Sequence, residues 1–489
     1  MSSKKVLRPT SRKPKQAARK KSGCLPIFMV LVILLGFAGG IGFGVLTGGA
    51  SMEPETVEMG PSMYLKADRT DFSVGEPGEI QLTLVRPVGD LAEILDEKGN
   101  VILTMTSADA QADGSWTKSI TLNTQEEGSY LLTARAGSEE SDHLAFFVTP
   151  EITVRMVWDA MEISRETYEA VLNEGYESDD FPQEALDFAA KELEADSRVA
   201  EVMTLDSAVF FLTKDHVVGA CGPGPAEGYF SSGSSQFSDE GYAVDIYRAA
   251  TDMLPSDDPR EFSEKTSIYS ENTVTNDRIN VVRPLYSTDG LCHVDYHAEK
   301  GEQLAEAMYS QEGCHVYNDF NGILSLFAED IGDVGMWIMN THGGKVPYED
   351  ESGNEKILWT YELSETLTGF DQLVDLELQA GNEFSRYFYG DQDSFKTRTA
   401  GLMRLMAYNG TITGTGTFMK NRYQNCTFDN TLIYFGICYS AADPEMKSFF
   451  IDRGASTYIG YPNKIHTDIE KSFFTGYMDH LSKWREKDQ

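Results

Sequence analysis

Two uninterrupted apolar runs, VGMWIMN at 334–340 and TLIYFGI at 431–437, constrain the fold most. A strand with one wet face alternates apolar and polar residues. A run without alternation belongs to a strand covered on both faces, as in a parallel sheet packed between helices. Around these runs the rhythm is strand, helix, strand, helix. Residues 278–285 are apolar in the middle, 299–309 and 321–331 carry helical spacing, 314–320 reads as a strand, and 457–460 as a last one. The pattern predicts an α/β domain over 275–489 with a mainly parallel sheet. In open sheets of this kind, sites gather at the carboxyl ends of the strands.

The first run ends in Thr341-His342-Gly343-Gly344 and the second in Cys438-Tyr439-Ser440. If the strands are neighbours, the histidine and the cysteine rise on the same edge of the sheet. That pairing suits covalent catalysis, in which a thiolate attacks a carbonyl carbon and an imidazole moves a proton to the leaving group. Gly343 and Gly344 let the backbone approach a developing oxyanion with no side chain in the way. Ser440 lies in no G-x-S-x-G elbow and is left outside the nucleophile reading.

The order of apolar strand, His-Gly, apolar strand and Cys resembles the clan CD cysteine peptidases, the caspase-like group of caspases, clostripain, gingipains, separases and CHAT domains. The tail adds to the likeness. GASTYIG at 454–460, followed by 468–481, is similar to the strand and final helix after the cysteine in CHAT and separase-like members. The resemblance spans 276–489. It implies a Cys-His dyad that hydrolyses peptide bonds, with His342 as the catalytic histidine and Cys438 as the nucleophile. The backbone amides of Gly343 and Cys438 would form the oxyanion hole. It also implies an acidic pocket residue that selects Arg or Lys before the scissile bond by charge-assisted pairing. Asp468 stands where separase-like members carry that acid, and it equally fits a helix start beside Thr467. One position departs from the family: Ala or Gly usually precedes the cysteine, and here it is Ile437, after Gly436. A bulky residue there crowds the site or ends the strand differently. It motivates the alternative of an inactive, peptidase-like surface binding or adhesion module. The interval between His342 and Cys438 is long and reads as an added hairpin at 345–363, around Ser352-Gly353-Asn354, and helical stretches such as 399–408.

Charge divides the chain. The formal net charge is −36, yet residues 1–23 carry nine Lys or Arg and no acid, and 22–52 carry no charge. The remainder holds 32 basic and 77 acidic residues. An acidic body argues against nucleic acid as a partner, which needs cationic surface, and attracts basic substrates. A 41% hydrophobic content with 26 Phe and five Trp excludes a largely disordered chain. The run LPIFMVLVILLGFAGGIGFGV at 25–45 has the length to cross a bilayer. With basic residues before it and Glu53 and Glu55 after it, the positive-inside rule leads to a specific expectation. Residues 1–23 would be a basic cytoplasmic tail, 24–47 a transmembrane signal anchor, and the bulk extracellular, making a single-pass protein of the cell membrane. Gly36, Gly40 and Gly44 share one helix face, as in close-packed transmembrane pairs, which suggests a homodimer.

Residues 53–150 read as short strands with turns between them: alternation at 80–84, an apolar run at 91–95, further strands at 116–122, 128–134 and 144–148. This predicts a β-sandwich, and 128–134 resembles the late strands of bacterial immunoglobulin-like surface domains, with a spacer or docking role. Residues 151–274 read as an α+β connector: helices at 161–172 and 182–195, then a hairpin of 208–213 and 216–220. The expected fold class is therefore multidomain, a transmembrane helix, an Ig-like β-sandwich, an α+β connector and a C-terminal α/β caspase-like domain. Cys292-His293, His297 and Cys314-His315 match no zinc spacing and read as structural. Cys221, Cys292, Cys314 and Cys426 allow two disulfides or four free thiols. No cofactor is expected. Asp391, Asp393 and the acidic stretch 349–351 offer oxygen ligands to calcium, against the plainer reading of solvated loops. A self-cleavage site in 231–238 would also suit a peptidase of this kind.

Overall fold

Both apolar runs form strands, Met336–Asn340 and Leu432–Gly436, and they pair in parallel with Asn340 opposite Gly436. They are the middle of a seven-stranded sheet in a computed structural model of the chain. The structure describes residues 56–59, 62–178, 181–224, 245–249, 277–287, 294–308, 310–328, 331, 334–349, 353–364, 367, 369–396, 400–465 and 467–486. All of them belong to the compact unit Pro54–Gln489.

Across the central sheet the strands run Thr56–Met59, Asp245–Ala249, Thr457–Gly460, Leu432–Gly436, Met336–Asn340, Ile279–Arg283 and Cys314–Asn318. The last five are parallel to one another. Numbered along the chain, they lie in the order 2-1-3-4-5, the arrangement of doubly wound sheets. Two different cores account for the unbroken apolar runs. Trp337, Met339, Ile433 and Phe435 face one core, and Met336, Ile338 and Tyr434 face the other. Helices Tyr296–Ala307 and Thr467–Glu486 cover the second face through Leu304, Phe474 and Met478.

The sheet is mainly parallel with one antiparallel pairing, and the expected connector is not a separate module. Asp245–Ala249 runs antiparallel to Thr457–Gly460, and Thr56–Met59 adds the outer edge. Strands Val199–Leu205, Ala208–Thr213 and Val218–Cys221 continue into Leu405–Tyr408, Thr411–Thr415, Glu355–Glu362 and Gly343–Glu349, a second seven-stranded sheet. The physical reason is burial: Ala208–Thr213 and Val218–Cys221 are buried at every position, so their backbone donors and acceptors need strand partners on both sides. The inner edge finds them in Leu405–Tyr408, paired parallel to Val218–Cys221.

The expected fold class is also corrected at its N-terminal end. The anticipated tail at 1–23, the anchor at 24–47 and Gly36, Gly40 and Gly44 lie outside the described residues. Among the described residues no helix is long and apolar enough to cross a membrane. The two 20-residue helices, Val154–Asn173 and Thr467–Glu486, are amphipathic and charged on one face. The single-pass placement at a cell membrane therefore has no support among the described residues.

Residues 64–149 form two facing sheets around one apolar cluster that includes Phe72, Leu82, Ile94, Trp116, Leu132 and Phe146. In Glu79–Val85, Ile80, Leu82 and Leu84 point inward and their neighbours outward. This sandwich is not a loose spacer. Arg404, fully buried in the α/β body, donates to Asp71 Oδ1 at 2.5 Å, to Asn421 Oδ1 at 3.0 Å and to the Arg386 carbonyl at 3.0 Å. Its guanidinium lies 3.7 Å from the centre of the Phe147 ring. Asp391 Oδ2 accepts from the Ser129 N–H at 2.7 Å, and Asp452 accepts from Ser62 N–H and Oγ at 2.8 and 2.5 Å.

Candidate active site

The site is built by the two middle strands and by how each ends. Asn340 and Gly436 are opposite each other, and the Asn340 amide Nδ2 donates to the Gly436 carbonyl at 3.1 Å. His342 and Cys438 each lie two residues past these strand ends. Cys438 packs against the core of Met336, Ile338 and Tyr434. Ile437 falls on the other face, fully buried in the core with Trp359 and Phe435. The bulky residue expected to crowd the site thus points away from it.

After Thr341 the chain leaves the central sheet. Thr341 Oγ1 donates to the Glu362 carbonyl at 2.6 Å, and the Glu362 N–H donates to the His342 carbonyl at 3.0 Å. These bonds start the antiparallel hairpin of Gly343–Glu349 and Glu355–Glu362. His342 and Glu362 form the hydrogen-bonded pair at its base. The next pair, Gly343 with Tyr361, is then of the non-hydrogen-bonded kind, and its N–H points away from the partner strand. Gly343 is packed against the cysteine: a Cβ there would lie 2.2 Å from the Cys438 carbonyl oxygen and 2.5 Å from Ile437 Cγ2. Only glycine fits that approach.

Cys438 is half-buried, and the Ile465 N–H donates to its sulfur at 3.4 Å. Trp359 Nε1 donates to its carbonyl at 3.4 Å. The next residue, Tyr439, has φ of +60°, a left-handed backbone that bulky residues rarely adopt. Such strain persists only where surrounding structure holds it, and it concentrates at functional sites. Here it turns the chain sharply after the thiol. Lys345 Nζ lies 4.9 Å from the centre of the Tyr439 ring. Ser440 is fully buried, donating to the Phe435 carbonyl and accepting from the Tyr461 N–H, so its hydroxyl is structural.

His342 and Cys438 line one cavity of about 30 Å³, with Asn340 and Gly436 beside them and Tyr296, Ile465 and Glu470 completing the wall. It opens at the carboxyl ends of the two middle strands. Asp468 is exposed in the first turn of the last helix and does not line this cavity. The acid that does is Glu470, two residues on. Its Oε1 accepts from His297 Nε2 at 2.9 Å and from Tyr434 Oη at 2.6 Å, and its Oε2 accepts from Tyr296 Oη. Burial would push this carboxyl up, but the His297 charge and the three donors outweigh it and hold it below its usual range. Tyr434 Oη also meets Tyr461 Oη at 2.7 Å.

Sequence reasoning missed Glu470, His297, Tyr296 and Tyr434. Thr467-Asp-Ile-Glu470 has the pattern of a capping box, which assigns the acid to the helix end. His297 stood only in a metal-site reading. Cys292 and His293 of that reading lie outside the described residues, and His315 bonds the Glu312 carbonyl at 2.9 Å on the surface. Among the described residues no group of three or more His, Cys, Asp or Glu is placed to hold a metal ion. Cys221, Cys314 and Cys426 are free thiols, which removes any disulfide among them. Burial pushes the Cys221 thiol up to about 12 and that of Cys314 up to about 11. Asp391, considered for calcium, caps the Asp393 and Ser394 N–H groups and holds Ser129. Glu349 ends the hairpin strand, and 350–351 and the suggested cleavage loop 231–238 are outside the described residues.

No protein-family model matches the chain, and no curated protein matches it.

Proposed function

We propose that this protein is a cysteine endopeptidase. The observation that carries the reading is that His342 and Cys438, each two residues past the carboxyl end of one of two adjacent parallel strands, line one cavity. Cys438 Sγ attacks the peptide carbonyl and gives an acyl-enzyme, and His342 delivers a proton to the departing amine. Water then attacks the thioester with His342 as base and releases the second product. The carbonyl oxygen becomes negative in each step, and the N–H groups of Gly343 and Cys438 are the donors assigned to it. The Gly343 N–H, turned away from its hairpin partner and packed beside Cys438, supports that role.

The acid expected to select Arg or Lys, Asp468, does not line the cavity, and Glu470 is already held by His297, Tyr296 and Tyr434, so no preference is assigned for the residue before the scissile bond. The alternative of an inactive binding module rested on Ile437, and the burial of that side chain in the opposite core favours an active dyad. Incubating the full-length protein with a mixed peptide library tests the proposal. Cleavage by the wild type and none by Cys438→Ala is the expected result. Equal cleavage by both, or none by either, overturns it.

A further inference from the structure

The hairpin strand Gly343–Glu349 ends the second sheet, and among the described residues no strand pairs with its outer edge. The pairing fixes which groups lie on that edge. His342 and Glu362 are a hydrogen-bonded pair, so Gly344, Val346 and Tyr348 bond inward to Glu355–Glu362. The residues between them, Gly343, Lys345, Pro347 and Glu349, turn their backbone groups outward. Among the described residues nothing bonds the outward N–H or C=O of Gly343 or Lys345. Lys345 is exposed, and Gly343 and Pro347 are half-buried. An open strand edge is a template for another extended chain.

The start of the edge decides which chain that is. Gly343 follows His342 directly and packs on the Cys438 carbonyl. No residue of Gly343–Glu349 lines the Cys438 cavity, so the edge leads away from the thiol on the His342 side. In the proposed reaction His342 gives its proton to the departing amine, so the segment after the scissile bond leaves past His342. We propose that this segment of the substrate binds as an extended strand on the outer edge of Gly343–Glu349. The inference rests on the peptidase reading. With the attacked carbonyl oxygen on the Gly343 N–H, a chain continuing along the edge runs parallel to it. In a parallel pair the bonds are evenly spaced and slanted, and an outward residue donates to one residue of its neighbour and accepts from the residue two further on. The Gly343 carbonyl then accepts from the N–H of the second residue after the cut bond, and the Lys345 N–H donates to the carbonyl of that same residue. Pro347 has no N–H, so the row of donors stops there. The substrate class is a peptide with at least two residues beyond the cut bond.

Two comparisons with the full-length protein test it. A peptide cleaved by the wild type is remade with one N-methyl group, on the second or on the third residue after the bond. Methylation of the second is expected to lower kcat/KM about tenfold, the loss of one hydrogen bond. Methylation of the third, whose N–H faces away, is expected to leave it within about twofold. Lys345→Pro removes the outward N–H and no hairpin bond, as Pro347 already does, and is expected to lower kcat/KM about tenfold further than Lys345→Ala, which keeps that N–H. Equal losses from the two methylations, or equal losses from the two variants, overturn the edge assignment and leave the peptidase reading standing. No cleavage of any peptide by the wild type removes both.

Discussion

Replacing Gly343 by alanine probes the closeness of the two strand ends. The added methyl carbon would meet the Cys438 carbonyl oxygen at 2.2 Å and Ile437 Cγ2 at 2.5 Å. Carbon contacts are comfortable from about 3.5 Å, so the overlap is on the order of 1 Å. The first obstacle is backbone, which cannot swing aside as a surface side chain can. The second is a fully buried isoleucine packed under Trp359 and Phe435. The strand ends must therefore part, and His342 moves away from Cys438. A misplacement of about 1 Å in a reacting group costs about 100-fold in rate, and overpacking costs about 1–3 kcal/mol in stability. Steady-state cleavage of the best library peptide and urea unfolding measure the two effects. Gly343→Ala is expected to lose about 100-fold in kcat/KM while remaining folded. Activity within twofold of the wild type, with unchanged stability, would refute the claim that this glycine sets the spacing.

Three other substitutions separate the structural layers. Arg404→Met takes its main donor from half-buried Asp71 and from buried Asn421, and is expected to cost about 3 kcal/mol in urea unfolding; a loss below 0.5 kcal/mol (roughly the scatter of neutral surface changes) would mean the clamp is not what seats the sandwich. Glu470→Gln removes the charge opposite His297 and turns one of the two oxygens that accept from His297, Tyr434 and Tyr296 into a donor, and is expected to cost about 3 kcal/mol at pH 7. Because this carboxyl sits below its ordinary 4.5 in the folded protein, its contribution is present above that pH and is lost as pH falls through the folded value, so variant and wild type should converge in acid. Asp443 is the opposite case. Burial pushes it up to about 6, so its ionised form weakens the fold above that pH and the penalty disappears toward pH 4. Asparagine also caps helices well, and Asp443→Asn is expected to be more stable than the wild type by about 1–3 kcal/mol at pH 8 and equal to it near pH 4; an equal gap at both pH values would contradict the burial argument.

What could be read from the chain follows the range of the interactions. Met336–Asn340 and Leu432–Gly436 were legible because burial on both faces leaves an unbroken apolar run, and Ile80, Leu82 and Leu84 because burial on one face leaves alternation. The hairpin after Gly343 showed itself through Gly353, whose φ of +77° is what its turn needs. Pro182 caps Gln183–Ala195, close to the expected helix start. Long-range partners left no such trace. Val218–Cys221 looked like the end of a connector, since its partner Leu405–Tyr408 lies almost two hundred residues on. Arg404 gives no local sign of the distant Asp71. Which acid lines the cavity was hidden for the same reason. Asp468 and Glu470 are both acids in a first helical turn, and only the fold sends one to solvent and the other to His297 and two tyrosines.

The central claim is that Cys438 is a nucleophile activated by His342. Its most direct test is the rate at which each cysteine of the full-length native protein is alkylated by limiting iodoacetamide, followed by peptide mass mapping. Cys438 is expected to react first, well ahead of Cys221 and Cys314, whose thiols burial holds high. His342→Ala is expected to slow Cys438 at least tenfold and leave the other cysteines unchanged. Labelling of Cys438 no faster than the others, or unaffected by loss of His342, would contradict the account.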